Sequence, residues 1–154
     1  IVHCAIAEKH NEEVKLYHAE NTVGHSIFST KNNVNVNSFE EVRGVVFSEW
    51  LKEGSVELEG CFNILKTNIE GAEWYLFNDI VDAGLVDKFS LFLGTGYDIG
   101  KIEEIDDLSE QYEDLLEDNN IEIFRFTEHR PENNADVFSL IDDKLDGWDN
   151  FDEE

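Results

Sequence analysis

The sequence predicts an α/β protein in which short buried strands alternate with amphipathic helices. Its 154 residues, 41% of them hydrophobic, suffice for one domain around a single core. Its 11 Phe, 4 Tyr and 3 Trp supply the aromatic surface that disordered acidic chains lack. Apolar runs of strand length also alternate with segments of helical periodicity, and this alternation is typical of layered α/β sheets.

The N-terminal segment predicts three strands and a loop. Residues 1–7 form a short apolar run, and residues 14–17 alternate between apolar and polar side chains, so both are predicted strands. Residues 21–33 are rich in Gly, Ser, Thr and Asn, which predicts a loop. Residues 34–36 predict a weak third strand after this loop.

A helix is predicted to follow the third strand. Ser38 and Glu41 have the spacing of a capping box, in which each side chain bonds the other residue's backbone N–H. The predicted helix runs to Leu51 and is ended by Gly54. The apolar residues at helical spacing within it are Val42, Val45, Val46 and Trp50.

The second half of the chain predicts a regular alternation that ends in an acidic tail. Residues 142–154 contain seven acids and one Lys, so we expect this tail to fray and assign the domain to residues 1–141. The predicted elements are a strand at 61–66, a helix from Ala72 that stops at Gly84, a strand at 89–93, a helix at 105–116, and strands at 121–126 and 137–141 joined by a polar loop containing Pro131.

The charge of the chain restricts its partners. It has 36 Asp and Glu against 11 Lys and Arg, a net charge of −25, and such a chain repels nucleic acid. The acids are dispersed along the sequence, which favours a salt-adapted surface of the kind that halophile proteins have. The alternatives are a local acidic surface that binds a basic partner and an acidic mimic that sequesters a basic protein.

The sequence also predicts the compartment. No apolar run approaches the length of about 18 residues that a membrane span requires, so we expect no membrane partner. Residues 1–7 lack the basic flank of a signal peptide. Cys4 and Cys61 are too few for a disulfide framework or a structural zinc site, which favours a reducing cytoplasm. Both lie in apolar predicted strands, so we expect buried, inert thiols.

Residues 66–73 concentrate polar chemistry at the end of a predicted strand. The segment Lys-Thr-Asn-Ile-Glu-Gly-Ala-Glu carries one cation, one amide and two carboxylates. Ligands of open α/β sheets bind at the carboxyl ends of strands, and Gly71 lets the backbone turn tightly there. The alternative interpretation is that Glu70 and Glu73 are first-turn acids favoured by the helix dipole.

Residues 65–73, Leu-Lys-Thr-Asn-Ile-Glu-Gly-Ala-Glu, resemble the central segment of the FkbM-type S-adenosylmethionine-dependent methyltransferases, commonly written K-I-D-V-E-G-A-E. Other segments are similar to family features in the same order: residues 5–7 to a strand end, residues 24–27 to a Gly/Ser loop and residues 89–93 to a core strand. The resemblance implies a Rossmann-like class I methyltransferase sheet. It also implies S-adenosylmethionine as cofactor and methyl transfer to a hydroxyl of a sugar or other small molecule.

The resemblance implies roles for particular residues. Asn68 stands where the family has Asp, at a position that faces the transferred methyl group, and it cannot act as a base. Glu70 and Glu73 keep their carboxylates, so they are candidates for orienting or deprotonating the acceptor hydroxyl. The residues that the resemblance implies for cofactor binding are Ala5, Ile6, His25, Ser26, Lys66 and Asn68.

Two family features have no counterpart in the sequence: the Gly-rich loop after the first strand and the acidic residue after the second. In a sheet of order 3-2-1-4-5-7-6, those strands would separate residues 1–7 from residues 61–66, and the first strand would lack a neighbour. We therefore expect either a completing N-terminal segment, in keeping with the absence of Met at position 1, or a different packing. An incomplete sheet also favours a homo-oligomer. The missing cofactor loop and the replacement of Asp by Asn68 also leave open an alternative function, that of a catalytically degenerate binding module.

Other polar residues predict weaker alternatives. Five histidines are spaced so that we expect no metal site, and His25 alone merits a test near the cofactor. Asp98, Glu103 and Glu104 could bind a hard cation, although a solvated acidic face is the simpler interpretation. Trp74 and Tyr75 could line an acceptor pocket or pack in the core. The histidines are His3, His10, His18, His25 and His129.

Overall fold

The computed structural model describes residues 3–20, 23–94, 98–103, 105–125 and 131–149. Within them, strands and helices form two three-stranded sheets with four α-helices, a mixed α/β architecture. The elements are β1 (Cys4–Ile6), β2 (Glu13–Ala19), β3 (Val34–Val45), α1 (Phe47–Glu53), β4 (Ile64–Thr67), α2 (Glu73–Asp82), β5 (Leu91–Gly94), α3 (Leu108–Asp118), β6 (Ile123–Arg125) and α4 (Pro131–Asp149), with short 3-10 turns at Val86–Lys88 and Ile99–Lys101.

The first sheet has the strand order β1-β3-β2. β1 pairs in parallel with the end of β3, from Cys4 opposite Arg43 to Ile6 opposite Val45. β2 pairs antiparallel with the other edge of β3. The first strand therefore has β3 as its neighbour, which is the different packing that the sequence analysis gave as one of its two alternatives.

The helix predicted from Ser38 to Leu51 is also wrong over most of its length. Ser38 and Glu41 lie within β3, and the helix α1 begins only at Phe47. The apolar residues at helical spacing are mostly valines, whose branched side chains favour strands. Ladders to β1 on one edge and β2 on the other decide the structure, because isolated helix propensity is weaker than this pairing.

The second sheet is parallel throughout, with the strand order β4-β5-β6. Helices α2 and α3 fall between its successive strands, so the sheet is compatible with a Rossmann-like fold. The predicted helices at 72–84 and 105–116 are confirmed as α2 and α3. The predicted strands are confirmed with later starts, by two or three residues.

The strand predicted at 137–141 is wrong, because these residues lie inside α4. A short apolar run cannot distinguish a strand from a helix by itself. The half-buried positions, 137, 140, 141 and 145, follow helical spacing. α4 also continues past residue 141 to Asp149, so the first part of the predicted tail is helical, whereas residues 150–154 lie outside the described residues.

The main core lies between the second sheet and helices α2 and α3. Phe77 of α2 is its centre, with its ring centroid 5.6 Å from Phe92 of β5 and 6.0 Å from Tyr112 of α3. Burial raises the pKa of Tyr112 above its ordinary value, and the nearby Glu73 carboxylate adds to this rise. Phe28 joins the same core from the loop before β3, which brings that loop against the start of α2.

The described residues test the expectations for membrane-spanning helices and for the two cysteines. None of the helices described is both long enough and apolar enough to cross a membrane. Both cysteines are free thiols, but Cys61 is exposed and Cys4 only half-buried. The prediction of buried thiols is thus wrong for Cys61, because β4 begins three residues later, at Ile64.

Candidate functional site

The segment after β4 forms a tight turn that two unusual backbone conformations make possible. Glu70 and Gly71 both adopt the left-handed region, with φ values of +58° and +106°. A Cβ atom on Gly71 would lie 2.3 Å from Cδ1, the tip of the Ile102 side chain, and the positive φ strains any residue that has a Cβ, so the position favours glycine. For Glu70 the conformation is costly, and the surrounding contacts must maintain it.

Glu73 closes this turn from the first turn of α2. Its side chain is almost fully buried, at 2% exposure. Its carboxylate accepts the backbone N–H of Ile69 at 2.9 Å and that of Gly71 at 2.8 Å. The interpretation as a first-turn acid is confirmed for Glu73, whose two oxygens both accept hydrogen bonds from the turn, and is wrong for Glu70, because α2 begins only at Glu73.

Glu70 forms a buried ion pair with Lys31, a residue of the loop before β3. The Lys31 side chain has no exposed surface, and its ammonium donates hydrogen bonds to Glu70 Oε2 and, at 3.1 Å, to the Gly24 carbonyl oxygen. Asp98 Oδ1 lies 3.3 Å from the same Nζ and 2.7 Å from that of Lys101. Burial opposes the ionisation of Asp98, but these two cations outweigh it and lower its pKa.

Ser26 connects the same loop to the turn through hydrogen bonds. Its hydroxyl donates to the Glu70 carbonyl oxygen at 2.8 Å and accepts the Phe28 N–H at 3.2 Å. Ser26 also exchanges backbone hydrogen bonds with Tyr17. The neighbouring His25 accepts the Ala19 N–H through Nδ1 at 2.9 Å, so both loop residues predicted for the cofactor stabilise the loop.

The other residues predicted for the cofactor occupy two separate places. Ala5 and Ile6 are half-buried in β1, opposite the end of β3. Lys66 is exposed at the end of β4, and Asn68 is half-buried immediately after it. The structure therefore brings Ser26, Glu70 and Glu73 into one connected unit, with Lys66 and Asn68 leading into it along the chain.

An open cleft of about 360 Å³ lies beside this unit, between the first sheet and the start of α2. Phe28 and Tyr75 form part of its wall, with stacked rings 5.5 Å apart at an interplanar angle of 8°. Trp74 and Tyr75 both pack against the core, and Tyr75 also lines the cleft. The remaining lining residues are Ala7, Glu8, Lys9, Glu12, Val14, Lys15, Tyr17 and Ile27.

The metal alternatives gain nothing from the geometry. Across the described residues there is no group of three or more His, Cys, Asp or Glu side chains that could hold a metal ion. Asp98 pairs with two lysines, which makes it a partner of ammonium groups. His129 and Glu104 lie outside the described residues.

No protein-family model, no curated protein and no solved structure matches the chain. Its function is therefore argued from its own residues and their geometry.

Lys31 is the site residue that the sequence analysis missed. It stands in a segment predicted to be a polar loop, and such a loop ordinarily exposes its lysines. One signal was present: Lys31 is the only Lys or Arg between Lys15 and Arg43. That signal points to Lys31 as an isolated cation but not to its partners, since Glu70 and Asp98 lie far away along the chain.

Proposed function

We propose that this chain acts as an S-adenosylmethionine-dependent O-methyltransferase of the FkbM type, with a Rossmann-like class I sheet and a sugar or other small-molecule hydroxyl as acceptor. One observation carries the proposal. The segment that resembles the family's central motif, residues 65–73, runs from a parallel strand through a fixed turn into a helix. The carboxyl ends of parallel strands are where open α/β sheets bind ligands.

The cofactor fits some of the residues named for it and not others. Lys66 and Asn68 bring a cation and an amide to the carboxyl end of β4, where a charged cofactor needs polar partners. Ser26 is buried and fully used within the protein, so it can shape the site but not bind the cofactor directly. S-adenosylmethionine, when bound, supplies the methyl group, and the chain's own residues hold and orient the reactants.

The cleft beside the turn supports a ring-shaped acceptor with hydroxyl groups. Its volume of about 360 Å³ falls within the range of small-molecule sites. The Phe28–Tyr75 pair gives it an apolar aromatic wall, while Glu8 and Glu12 bring carboxylates that can accept hydroxyl hydrogens. The combination favours a sugar over a purely apolar acceptor.

The contacts of the two candidate carboxylates favour positioning over base catalysis. Each Glu73 oxygen accepts a backbone N–H, and Glu70 is paired with a buried ammonium. Removing a proton from an acceptor requires a base within hydrogen-bond reach, and these contacts compete with that task. The role of either residue as a base stays a prediction, and the rate enhancement we expect from this segment comes from orientation of the acceptor oxygen.

A second candidate function follows from the same contacts. Asn68 carries no charge and both neighbouring carboxylates have structural partners, which is the arrangement expected of a methyltransferase-like module that binds without catalysis. Both proposals include a cytoplasmic location and a salt-adapted surface, because these two expectations depend on composition alone.

Calorimetric titration tests the enzyme proposal. S-adenosylmethionine and S-adenosylhomocysteine are titrated at molar salt into this chain and into the complete product of its gene. We expect one-to-one binding to at least the complete product, and a Lys66→Ala variant should bind more weakly than a Lys144→Ala control on α4. Binding to neither form would overturn the enzyme proposal and leave the binding module.

A sugar titration monitored by ligand-observed NMR tests the acceptor cleft separately. We expect neutral mono- and disaccharides to give binding signals with the unmodified protein, and we expect Tyr75→Ala to remove these signals. Phe138→Ala, an exposed aromatic on α4, is the matched control and should retain them. Equal loss in both variants, or no signal from any sugar, would overturn the sugar assignment.

A further inference from the structure

We infer that Lys31 is the positioning residue of this site, an internal cation that clamps the loop before β3 onto the turn after β4. The inference rests on the proposed function only for its ligand measurement. Hydrogen exchange decides it without any ligand.

Three acceptors from three segments of the chain surround the Lys31 ammonium: the Gly24 carbonyl, the Glu70 carboxylate and the Asp98 carboxylate. A lysine ammonium has three N–H donors, so there is one donor for each acceptor. Because the Lys31 side chain is fully excluded from solvent, its charge is tolerated only while these partners are present. The contact is thus specific for a cation at this position.

The clamp acts on a residue whose backbone conformation is strained. Glu70 holds a left-handed conformation that a side chain rarely adopts. Within the described contacts, the loop holds Glu70 at two points: Ser26 binds its carbonyl oxygen and Lys31 its carboxylate. Such a conformation persists only where its surroundings enforce it, so Lys31 helps to set the backbone path from Asn68 into α2.

The same loop also builds the cleft wall. Phe28 lies between Ser26 and Lys31 in sequence, donates its backbone N–H to the Ser26 hydroxyl and stacks on Tyr75. A loop released by loss of Lys31 would therefore disturb both the turn and the cleft wall. Lys31 touches neither the candidate cleft nor solvent in the described residues, so it acts through these neighbours.

A purely structural lysine and a positioning lysine predict different results. If Lys31 serves stability alone, its replacement lowers the free energy of unfolding, but the protein that remains folded keeps its local order and its ligand affinity. If Lys31 positions the site, the folded protein itself changes: the turn opens more often and the ligand binds more weakly.

Lys31→Met tests this distinction, with Lys101→Met as the matched control. Lys101 also contacts Asp98 but is 44% exposed. Hydrogen exchange is measured at residues 24–28 and 69–72 in conditions where circular dichroism shows both variants folded. We expect exchange there to rise about tenfold or more in Lys31→Met, the factor that corresponds to about 1.4 kcal/mol of local opening, and less than about twofold in Lys101→Met.

Affinity for S-adenosylmethionine is measured on the same samples. We expect Lys31→Met to weaken it about tenfold while Lys101→Met leaves it within about twofold. If the unmodified protein does not bind the cofactor, the proposed function fails, yet the exchange measurement still decides the clamp. Equal exchange at residues 24–28 and 69–72 in the two variants would overturn the inference.

A double variant keeps the test decisive should Lys31→Met fail to fold. Lys31→Met with Glu70→Gln removes the cation together with one of the carboxylates it compensates. We expect the double variant to fold and to be more stable than Lys31→Met alone, because the uncompensated charge of Glu70 is gone, while exchange at residues 69–72 stays high. An exchange rate like that of the unmodified protein in this variant would overturn the clamp.

Discussion

Two ion-pair networks of similar chemistry lie in opposite environments in this protein. At the turn after β4, Lys31 joins Glu70 and Asp98 without any exposed side-chain surface of its own. At the end of α1, Glu53 is 46% exposed and pairs with Arg43 at 2.5 Å, and His10 Nε2 lies 3.0 Å from the same carboxylate. The Lys31 network joins a loop to the turn after β4, whereas the Glu53 network joins a turn to β3 and α1.

The difference teaches that burial, not the number of partners, decides what such a network does. Hydrogen bonds from His10, Arg43 and Asn11 lower the pKa of Glu53 to about 2, yet water can replace every one of these partners. Lys31 has no exposed surface, and its partners Glu70 and Asp98 are only 21% and 15% exposed, so removing the lysine leaves carboxylates that water reaches only in part. We therefore expect the Glu53 network to adjust stability and the Lys31 network to maintain the local structure.

Lys31→Met gives the largest expected effect. Breaking a buried ion pair from one side typically costs about 3–5 kcal/mol of unfolding free energy, whereas loss of the exposed Lys101 contact costs about 0–1 kcal/mol. Chemical denaturation of Lys31→Met and Lys101→Met measures both. Molar salt should leave the first loss nearly unchanged, since buried pairs are poorly screened. Equal losses in the two variants would remove the contrast between buried and exposed pairs.

Gly71→Ala tests sterics at the same turn. The new Cβ would clash with Ile102, and φ is +106°, so we expect a loss of about 2–4 kcal/mol from strain and overpacking together. Gly60→Ala is the control: φ there is +64°, and in the described residues nothing lies within 4 Å of the added Cβ. Its loss should be about 1–2 kcal/mol, the left-handed penalty alone. Equal losses measured by thermal unfolding would show that Ile102 yields freely.

Ser26→Ala removes the hydrogen bond from the Ser26 hydroxyl, which is the second contact between the loop and Glu70. The Glu70 carbonyl and the Phe28 N–H would each lose a partner, which we expect to cost about 1–3 kcal/mol. Ser38→Ala, on β3, loses a contact to His18 at a half-buried position and should cost less. Urea denaturation of both variants gives the difference. A larger loss in Ser38→Ala would argue against the turn as a tightly held structure.

Glu53→Gln gives the smallest expected effect and the clearest dependence on pH. The folded pKa of Glu53, about 2, lies below its ordinary value of 4.5. Its carboxylate therefore contributes stability that is present above about pH 4.5 and is lost as pH falls towards 2. The stability difference between the unmodified protein and Glu53→Gln should vanish over that interval and also shrink in molar salt. A difference that persists at pH 2 would contradict a charge-based contribution.

The sequence allowed prediction of the parts that depend on local pattern. Helices α2 and α3 follow from periodic apolar residues, and the polar turn at 66–73 follows from its position after a strand. Residues 38–45 were misassigned because β-branched residues spaced for a helix also suit a strand, and the choice is made by partners distant in the chain. The run at 137–141 was misassigned because five residues are too few to show a period.

In the candidate site, too, local sequence predicted some residues, whereas contacts between distant residues were not predictable. Glu70, Gly71 and Glu73 were found because they are neighbours in sequence, and Ser26 was included through the resemblance. The reason for their arrangement was not predictable, because it depends on a lysine about forty residues before Glu70 and on Ile102 after it. Contacts between distant residues leave no local pattern, so the electrostatic partner of Glu70 became visible only in the folded structure.

The long strand β3 has a consequence for the order of folding. It pairs in parallel with β1, and Cys4 must find Arg43 about forty residues away before this ladder can close. The ladders of the second sheet join strands that are closer in sequence and are separated by helices that form early. We therefore expect the β1–β3 ladder to close after the ladders of the second sheet. The loop that bears Lys31 directly precedes β3, so it would settle onto a turn that has already formed.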